Sequence, residues 1–164
     1  MNKKYALFLV LCVTSAFALF ASDPVEGFWK SIDEKTGEVT AYWKIWQEDG
    51  LLFGTIMRVP GEDPSTLATK VKSSYKGFPL DGDITKMKVI GTPWIFSLER
   101  KKAGEWTGGS IIDPSNGSMY KCKITFRAKD GKKYAEDSLE MRGEIGLGIG
   151  RSQYWIRAKE SDWQ

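Results

Sequence analysis

Residue types able to do chemistry are sparse in this chain of 164 residues. It has no histidine and two cysteines, Cys12 and Cys122, which excludes serine–histidine and cysteine–histidine catalysis and the commonest zinc sites. Three carboxylates, Asp113, Glu140 and Glu144, are candidates for acid–base hydrolysis. Each has a simpler interpretation, because Asp113 starts a DPSNG turn and both glutamates lie on the polar side of an alternating segment. We predict no catalytic residue, no metal and no cofactor, with a carboxylate-based hydrolase as the alternative.

A second chemical candidate is the glycine-rich segment RGEIGLGIGRSQYWIR near the C-terminus. Gly146, Gly148 and Gly150 invite comparison with a phosphate-binding loop. A dinucleotide-binding fingerprint needs glycine at its sixth position and a following helix, whereas Arg151 and strand-like residues stand there. The Gly-Lys-Ser or Gly-Lys-Thr of a Walker loop is also absent. We interpret the glycines as a sharp turn between two strands, and Gly143 as a place where another side chain lies against the backbone.

The N-terminal segment has the three-part layout of a secretory signal peptide. Lys3 and Lys4 precede an apolar run from Tyr5 to Phe20, and Asp23 follows the small residues that end it. The run is shorter than the roughly 20 residues of a typical membrane span. We therefore predict an exported protein with no stable membrane span after leader removal.

The predicted signal peptide covers residues 1–21, with cleavage near Ala18 or Ala21, and the product is periplasmic or secreted. Residues 22–164 then form a single domain. Lipidation at Cys12 is a second interpretation that the sequence leaves open.

Charge and cysteine content narrow the partners of the exported chain. The sequence has 24 basic and 21 acidic residues, and the leader removes two lysines, which leaves a net charge of +1. A nearly neutral chain lacks the basic surface that phosphate backbones require, so we predict no nucleic-acid binding. Cys122 is then the only cysteine, so no intramolecular disulfide can form. We interpret it as a small buried hydrophobe.

Turn signals and alternating segments indicate strands throughout. Seven tryptophans and many tyrosine, phenylalanine, isoleucine and valine residues favour β-structure. Asn116-Gly117 and Asp130-Gly131 are typical of hairpin turns. YKCKITF and LEMRGEI alternate between apolar and polar residues, which places one face of each strand against a core.

These signals predict an all-β fold: a single antiparallel up-and-down barrel of about 8–9 strands with one short helix. The alternative is a two-sheet sandwich, which would bury the same apolar strand faces. The helix is predicted from Pro64 to Tyr75, because Asp63 can cap it and Leu67 and Val71 recur at a spacing of four. It would form a plug or lid at one end of the sheet, or a plain surface connection.

The segment EGFWKS resembles the Gly-x-Trp signature of the lipocalin and fatty-acid-binding (calycin) barrels. Gly27 and Trp29 carry the resemblance, together with an arginine at the end of the last strand. It implies that Trp29 plugs the closed end and that Arg157, with Arg151 as a substitute, packs across its ring. An ordinary core tryptophan is the alternative.

A longer resemblance rests on DGLLFGTIMRV, EWTGGSIIDPSNGSMYKCKI and LEMRGEIGLGIGRSQYWIR, together with DPVEGFW. These segments are similar to an exported bacterial family known as domain of unknown function 2147. The similarity weakens between Pro60 and Ala103, where the family's Asn-Pro-Asp-rich connection is replaced by EDPSTLATKVKSSYKGFPLDGD. The resemblance implies a periplasmic, calycin-like (lipocalin-like) barrel and no particular activity, substrate or catalytic residue.

The barrel interior is the predicted ligand site, because a small barrel can hold one small molecule or be filled by side chains. We predict a small apolar or amphipathic ligand, and candidate lining and head-group residues are Trp43, Phe96, Tyr120, Met141, Arg151 and Gln153. The alternative is a cell-envelope module with a filled barrel, which binds a protein or glycan partner through exposed Tyr42 and Trp46.

Overall fold

The protein is described here by a computed structural model of residues 22–164. Its eight strands are β1 (Gly27–Ile32), β2 (Val39–Glu48), β3 (Leu51–Arg58), β4 (Pro93–Lys102), β5 (Glu105–Asp113), β6 (Ser118–Arg127), β7 (Ser138–Gly146) and β8 (Ile149–Arg157). Each strand is antiparallel to its neighbour in sequence, and β8 returns to β1 to close the barrel. The predicted up-and-down barrel is confirmed. The predicted signal peptide and Cys12 lie outside the described residues.

Tight turns with positive φ join the strands. Asp49 and Gly50, at φ 50° and 79°, connect β2 to β3, as expected for an Asp-Gly hairpin. The β7–β8 turn has three successive residues with positive φ, Gly146, Leu147 and Gly148. The glycine-rich segment is therefore a hairpin turn, as predicted.

The seam between β1 and β8 is short. It consists of two residue pairs, Trp29 with Arg157 and Lys30 with Ile156, whereas β6 and β7 pair over seven residues. A short seam leaves the closure of the barrel dependent on side chains at that point.

The predicted helix from Pro64 to Tyr75 is wrong. The only helical elements in residues 22–164 are 3₁₀ turns at Ile84–Lys86 and Glu160–Asp162. Asp63 accepts hydrogen bonds from the backbone N–H and hydroxyl of Ser65, which stabilise a turn. Beyond it, the backbone N–H of Ala68 donates to Met87 at 2.8 Å. A backbone N–H group that an α-helix would pair within the segment is thus hydrogen-bonded to another part of the connection.

The long connection between β3 and β4 lies at the end of the barrel where the β1–β2, β5–β6 and β7–β8 turns also lie. The Tyr75 hydroxyl donates to the carbonyl of Gly117 in the β5–β6 turn at 2.7 Å. Leu67 forms an isolated bridge with Lys88 inside the connection. We call this end the mouth, and the end that holds the chain termini the closed end.

A bulge in β4 decides which side chains face inward. Leu98 pairs with Leu52 and Ile95 with Gly54, so the two residues of β4 between these pairs oppose a single residue of β3. Ser97 has φ 59°, a left-handed conformation for a residue with a Cβ. Ile95 therefore faces the interior, and its neighbour Phe96 faces outward.

Candidate functional site

The closed end is sealed by an arginine lying flat on a tryptophan. The guanidinium carbon of Arg157 is 3.7 Å from the centroid of the Trp29 ring. The same guanidinium donates to the carbonyls of Glu26 and Pro24, both at 2.7 Å. The indole N–H of Trp29 donates to Val25 at 2.8 Å, and Trp29 is completely buried. Stacking and hydrogen bonds together hold the N-terminal segment over this end of the barrel.

Gly27 allows this approach. It has φ 111°, and a Cβ placed there would lie 3.0 Å from Nη1 of Arg157. Burial lowers the pKa of Arg157 from its ordinary value, and Asp137 acts in the opposite direction. The guanidinium keeps its charge, since arginine does not deprotonate in proteins.

A second set of contacts, made by Asp23, holds the N-terminal segment to β4 and the β4–β5 turn. The Asp23 carboxylate is buried and lies 3.1 Å from Nε of Arg100. It also accepts a hydrogen bond from the backbone N–H of Gly104 at 3.1 Å. The buried charge is thus paired and hydrogen-bonded, as burial demands.

Toward the mouth, the barrel encloses a cavity of about 830 Å³. Trp43 of β2 and Trp155 of β8 both line it, and their rings stack with centroids 4.7 Å apart and planes 24° apart. Trp29, next to Trp43 across the β1–β2 pair, does not line the cavity. We call the Trp43–Trp155 pair the tryptophan floor, since side chains fill the barrel below it. The interior is therefore not filled along its whole length, contrary to the filled-barrel alternative.

The polar atoms of the floor are hydrogen-bonded. The Trp43 indole N–H donates to the hydroxyl of Ser31 at 3.3 Å, and that hydroxyl is 2.7 Å from Thr40 Oγ1. The Trp155 indole N–H donates to the side-chain oxygen of Gln153 at 3.4 Å. Each indole thus has a fixed orientation and presents apolar surface to the cavity.

The cavity wall is mixed, with apolar and polar residues contributed by the strands and by the long connection. The lining residues include Ala41, Ile56, Val89, Ile111, Tyr120, Met141, Gly143, Gln153, Ile145, Ile149, Arg151, Asp113, Glu62, Thr66, Leu67, Thr69 and Lys70. Arg151 lies at the rim, where its Nη2 is 3.0 Å from Oε2 of Glu34. Tyr120 packs on Gly143, whose absent Cβ would lie 3.4 Å from the tyrosine Cβ. This is the backbone contact predicted for Gly143.

The structure brings together five of the six residues predicted to surround a ligand: Trp43, Tyr120, Met141, Arg151 and Gln153. Phe96 is not among the lining residues, so its assignment to the lining was wrong. The β4 bulge turns it outward, where it packs against Phe78 of the connection with ring centroids 5.5 Å apart. Sequence reasoning missed Trp155, although strict alternation with Gln153 and Arg157 already places it on the inner face. It also missed the connection residues, for which the sequence offers no comparable signal.

The three candidate carboxylates lie in separate local interactions. Asp113 accepts from Ser115 and Asn116 within its own turn. Partial burial acts to raise the pKa of Glu140, but hydrogen bonds from Arg127 and Ser152 outweigh it and lower the pKa. Glu144 pairs with Arg142. No two of these carboxylates share a hydrogen-bond partner among the described residues.

Cys122 is buried, and burial raises the pKa of its thiol. Its Sγ lies 3.2 Å from Sδ of Met141, in keeping with a small hydrophobe. In residues 22–164, no three histidine, cysteine, aspartate or glutamate side chains are grouped as metal ligands would be. No helix in that same range has the length and apolarity needed to cross a membrane.

Tyr42 and Trp46, the residues predicted to bind an envelope partner in the alternative function, lie on the outer face of β2. The Tyr42 ring is 5.3 Å from that of Trp163 in the C-terminal segment, and Trp163 also packs edge-on against Phe28. Trp46 stacks on Phe53 of β3 with centroids 5.8 Å apart. Both residues are partly covered by neighbouring rings.

A closed eight-stranded antiparallel barrel, plugged by a tryptophan under an arginine and holding a cavity, defines a lipocalin-like protein. The family model described as "Uncharacterized protein conserved in bacteria (DUF2147)" matches residues 27–157, and the chain belongs to this family.

Among solved structures, the chain is similar to protein HP1028 from the human pathogen Helicobacter pylori, which is described as belonging to the lipocalin family. The TM-score is 0.63 with 11% sequence identity over 84% of each chain. At this identity the likeness shows the fold alone. None of the curated protein sequences matches this chain.

Proposed function

We propose that the protein binds a small apolar or amphipathic molecule in the upper half of the barrel, above the tryptophan floor. The observation that carries this proposal is the cavity of about 830 Å³ closed below by the stacked rings of Trp43 and Trp155. Its volume lies within the range of about 300–1,000 Å³ that is typical of small-molecule sites.

The position of Arg151 at the rim supports an amphipathic ligand with its polar group toward the mouth. Ile56, Ile111 and Met141 offer apolar contacts inside the cavity. Tyr120, beside Ile111 across the β5–β6 pair, and Arg151 at the rim offer polar groups. Burial of an alkyl chain against the first group would contribute about 0.8 kcal/mol per methylene. The guanidinium of Arg151 would exchange its exposed partner Glu34 for an anionic head group.

Filling the cavity tests the proposal. Ala41 lines the cavity and is buried beside Trp43, so Ala41→Phe would project a ring into the space meant for ligand. Dodecanoic acid should change the tryptophan fluorescence of the wild-type protein and leave that of Ala41→Phe unaltered. The matched control is Lys44→Phe, which adds the same ring to the exposed face of the same strand. A wild-type protein that gives no response to apolar or amphipathic probes would contradict the proposal.

We also propose that the protein acts after export to the periplasm, with residues 1–21 removed. The role of Asp23 supports this, since its backbone N–H donates to the Glu26 side chain and its carboxylate accepts from the backbone N–H of Gly104 in the β4–β5 turn. Cleavage near Ala18 or Ala21 keeps both interactions. The intact mass of protein recovered from the cell envelope would test this, and a full-length mass would contradict it.

A second candidate function is binding of an envelope glycan through the outer aromatic residues. It is supported by Trp46, whose ring is partly exposed and stacked on Phe53, because flat aromatic faces pack well on sugar rings. Trp46→Ala should then abolish co-sedimentation with isolated peptidoglycan while leaving the dodecanoic acid response intact. Unchanged sedimentation would remove this candidate.

A further inference from the structure

The tip of the β7–β8 hairpin carries the most exposed apolar side chains among residues 22–164. Ile145 is 71% exposed, Ile149 is 62% exposed, and Leu147 between them is completely exposed. Every other large apolar residue in this range is less than half exposed. Scattered exposed aliphatics are normal on a protein surface, whereas three on one turn form a patch that calls for a partner.

Leu147 has a strained backbone conformation at the tip of the hairpin. Its φ of 49° lies in the left-handed region, between Gly146 at 124° and Gly148 at 75°. Glycine, asparagine and aspartate occupy this conformation with little strain, while a leucine does not. The side chain gains no contact in return, since it is wholly in solvent. A strained residue without a folding benefit points to a functional role.

The tip is held in place from behind. Arg142 of β7 donates from Nη2 to the carbonyl of Gly148 at 2.8 Å and from Nε to Glu144 at 2.6 Å. Gly150 lies so close to the backbone of Gly143 that a Cβ would be 2.3 Å from its carbonyl oxygen. The hairpin is thus a supported projection that presents its apolar residues in a defined direction.

The same patch forms part of the rim of the cavity. Ile145 and Ile149 line the cavity as well as facing solvent, and so does Leu67 from the connection, which is 45% exposed. Apolar surface therefore continues from the projecting tip into the barrel. A molecule leaving the cavity here would meet aliphatic side chains before it met water.

We propose that the β7–β8 tip inserts into the surface of a lipid bilayer, with the mouth of the barrel turned toward the lipid. The patch is convex and purely aliphatic, which suits an acyl layer better than a protein groove. A second copy of the chain would need about 800 Å² of complementary surface per partner, and three aliphatic side chains fall far short of that. Two arginines near the tip, Arg142 and Arg151, are paired with Glu144 and Glu34.

Insertion of the tip does not require that the cavity hold a ligand, so it goes beyond the proposed function and can be tested separately. Leu147 does not line the cavity. A substitution there should leave the dodecanoic acid response in solution unchanged, whichever way the membrane experiment turns out.

The experiment is flotation with vesicles of phosphatidylethanolamine and phosphatidylglycerol, using purified protein that lacks residues 1–21 and so contains the whole barrel. We expect the wild-type protein to float with the vesicles at low and at high salt, because insertion of aliphatic side chains is not screened by salt. Leu147→Asn should reduce the vesicle-bound fraction roughly tenfold or more. Asparagine suits the left-handed backbone, so this variant should be at least as stable to heat as the wild type.

Leu80→Asn is the matched control, because Leu80 is a 46% exposed leucine that does not line the cavity, and it should float like the wild type. A wild-type protein that stays with the aqueous fraction would overturn the proposal. So would equal losses in the two variants, or a dimer in solution that Leu147→Asn dissolves, since the patch would then bind a second copy.

Discussion

Arg157 and Trp29 are both stacking partners and register partners. The guanidinium carbon of Arg157 lies 3.7 Å from the centroid of the Trp29 ring. The backbones of the two residues form one of the two residue pairs that join the last strand to the first. One contact therefore closes the sheet and plugs its end. The weakness of a two-pair seam is offset by a guanidinium that also holds the N-terminal segment through two carbonyls.

Replacing Arg157 with alanine should destabilise the barrel by about 2–4 kcal/mol, because two charged hydrogen bonds and the stacking on Trp29 are lost from a half-buried site. Urea unfolding followed by tryptophan fluorescence measures the change. Arg151→Ala is the control: its exposed pair with Glu34 should contribute less than about 1 kcal/mol. Equal losses for the two variants would show that Arg157 does not hold the seam.

Gly27→Ala should destabilise the protein by about 1–3 kcal/mol, because φ of 111° disfavours a Cβ and the new methyl would press on Arg157. Gly37→Ala is the matched control, with φ of 76° and open space around the missing Cβ. The larger loss at Gly27 should shrink in an Arg157→Ala background, as a double-mutant cycle of unfolding free energies would reveal. Additive effects would rule out the contact between these two residues.

Stability should fall in acid through Glu105. A hydrogen bond from Lys123 lowers the pKa of this carboxylate from 4.5 to about 2, against the effect of burial and with help from Lys101. A pKa lowered in the folded state adds stability that is complete above about pH 4.5 and is lost as the pH falls toward 2. Urea unfolding across this range should show a shallower pH dependence of the unfolding free energy for Glu105→Gln than for wild type.

Glu62→Gln, at an exposed position, serves as the control for Glu105→Gln. An identical pH dependence of the unfolding free energy in wild type and Glu105→Gln would contradict the assignment of the acid effect to Glu105.

The sequence predicted those parts of the structure that depend on local pattern. Alternating apolar residues placed Trp43, Tyr120 and Met141 on the inner face. The Gly-x-Trp signature predicted the contact between Trp29 and Arg157, and glycine spacing predicted the β7–β8 turn.

The failures occur where long-range pairing overrides local preference. The segment after Asp63 has helical spacing, yet its backbone pairs with residues 87–89 of the same connection. Phe96 falls on the expected face only if β4 is regular, and the bulge at Ser97 breaks that regularity. A non-glycine residue with positive φ inside a strand leaves no signal in composition or alternation. The cavity itself depends on how far the side chains reach across the barrel, which only the assembled structure defines.

The most direct test of the binding site above the tryptophan floor is a native mass spectrum of protein purified from the cells that naturally make it. We expect a second species heavier than the polypeptide by the mass of one small amphipathic molecule, present in wild type and in Lys44→Phe but missing from Ala41→Phe. Bare polypeptide in all three, combined with no fluorescence response to added dodecanoic acid, would contradict the proposal that this barrel is a container.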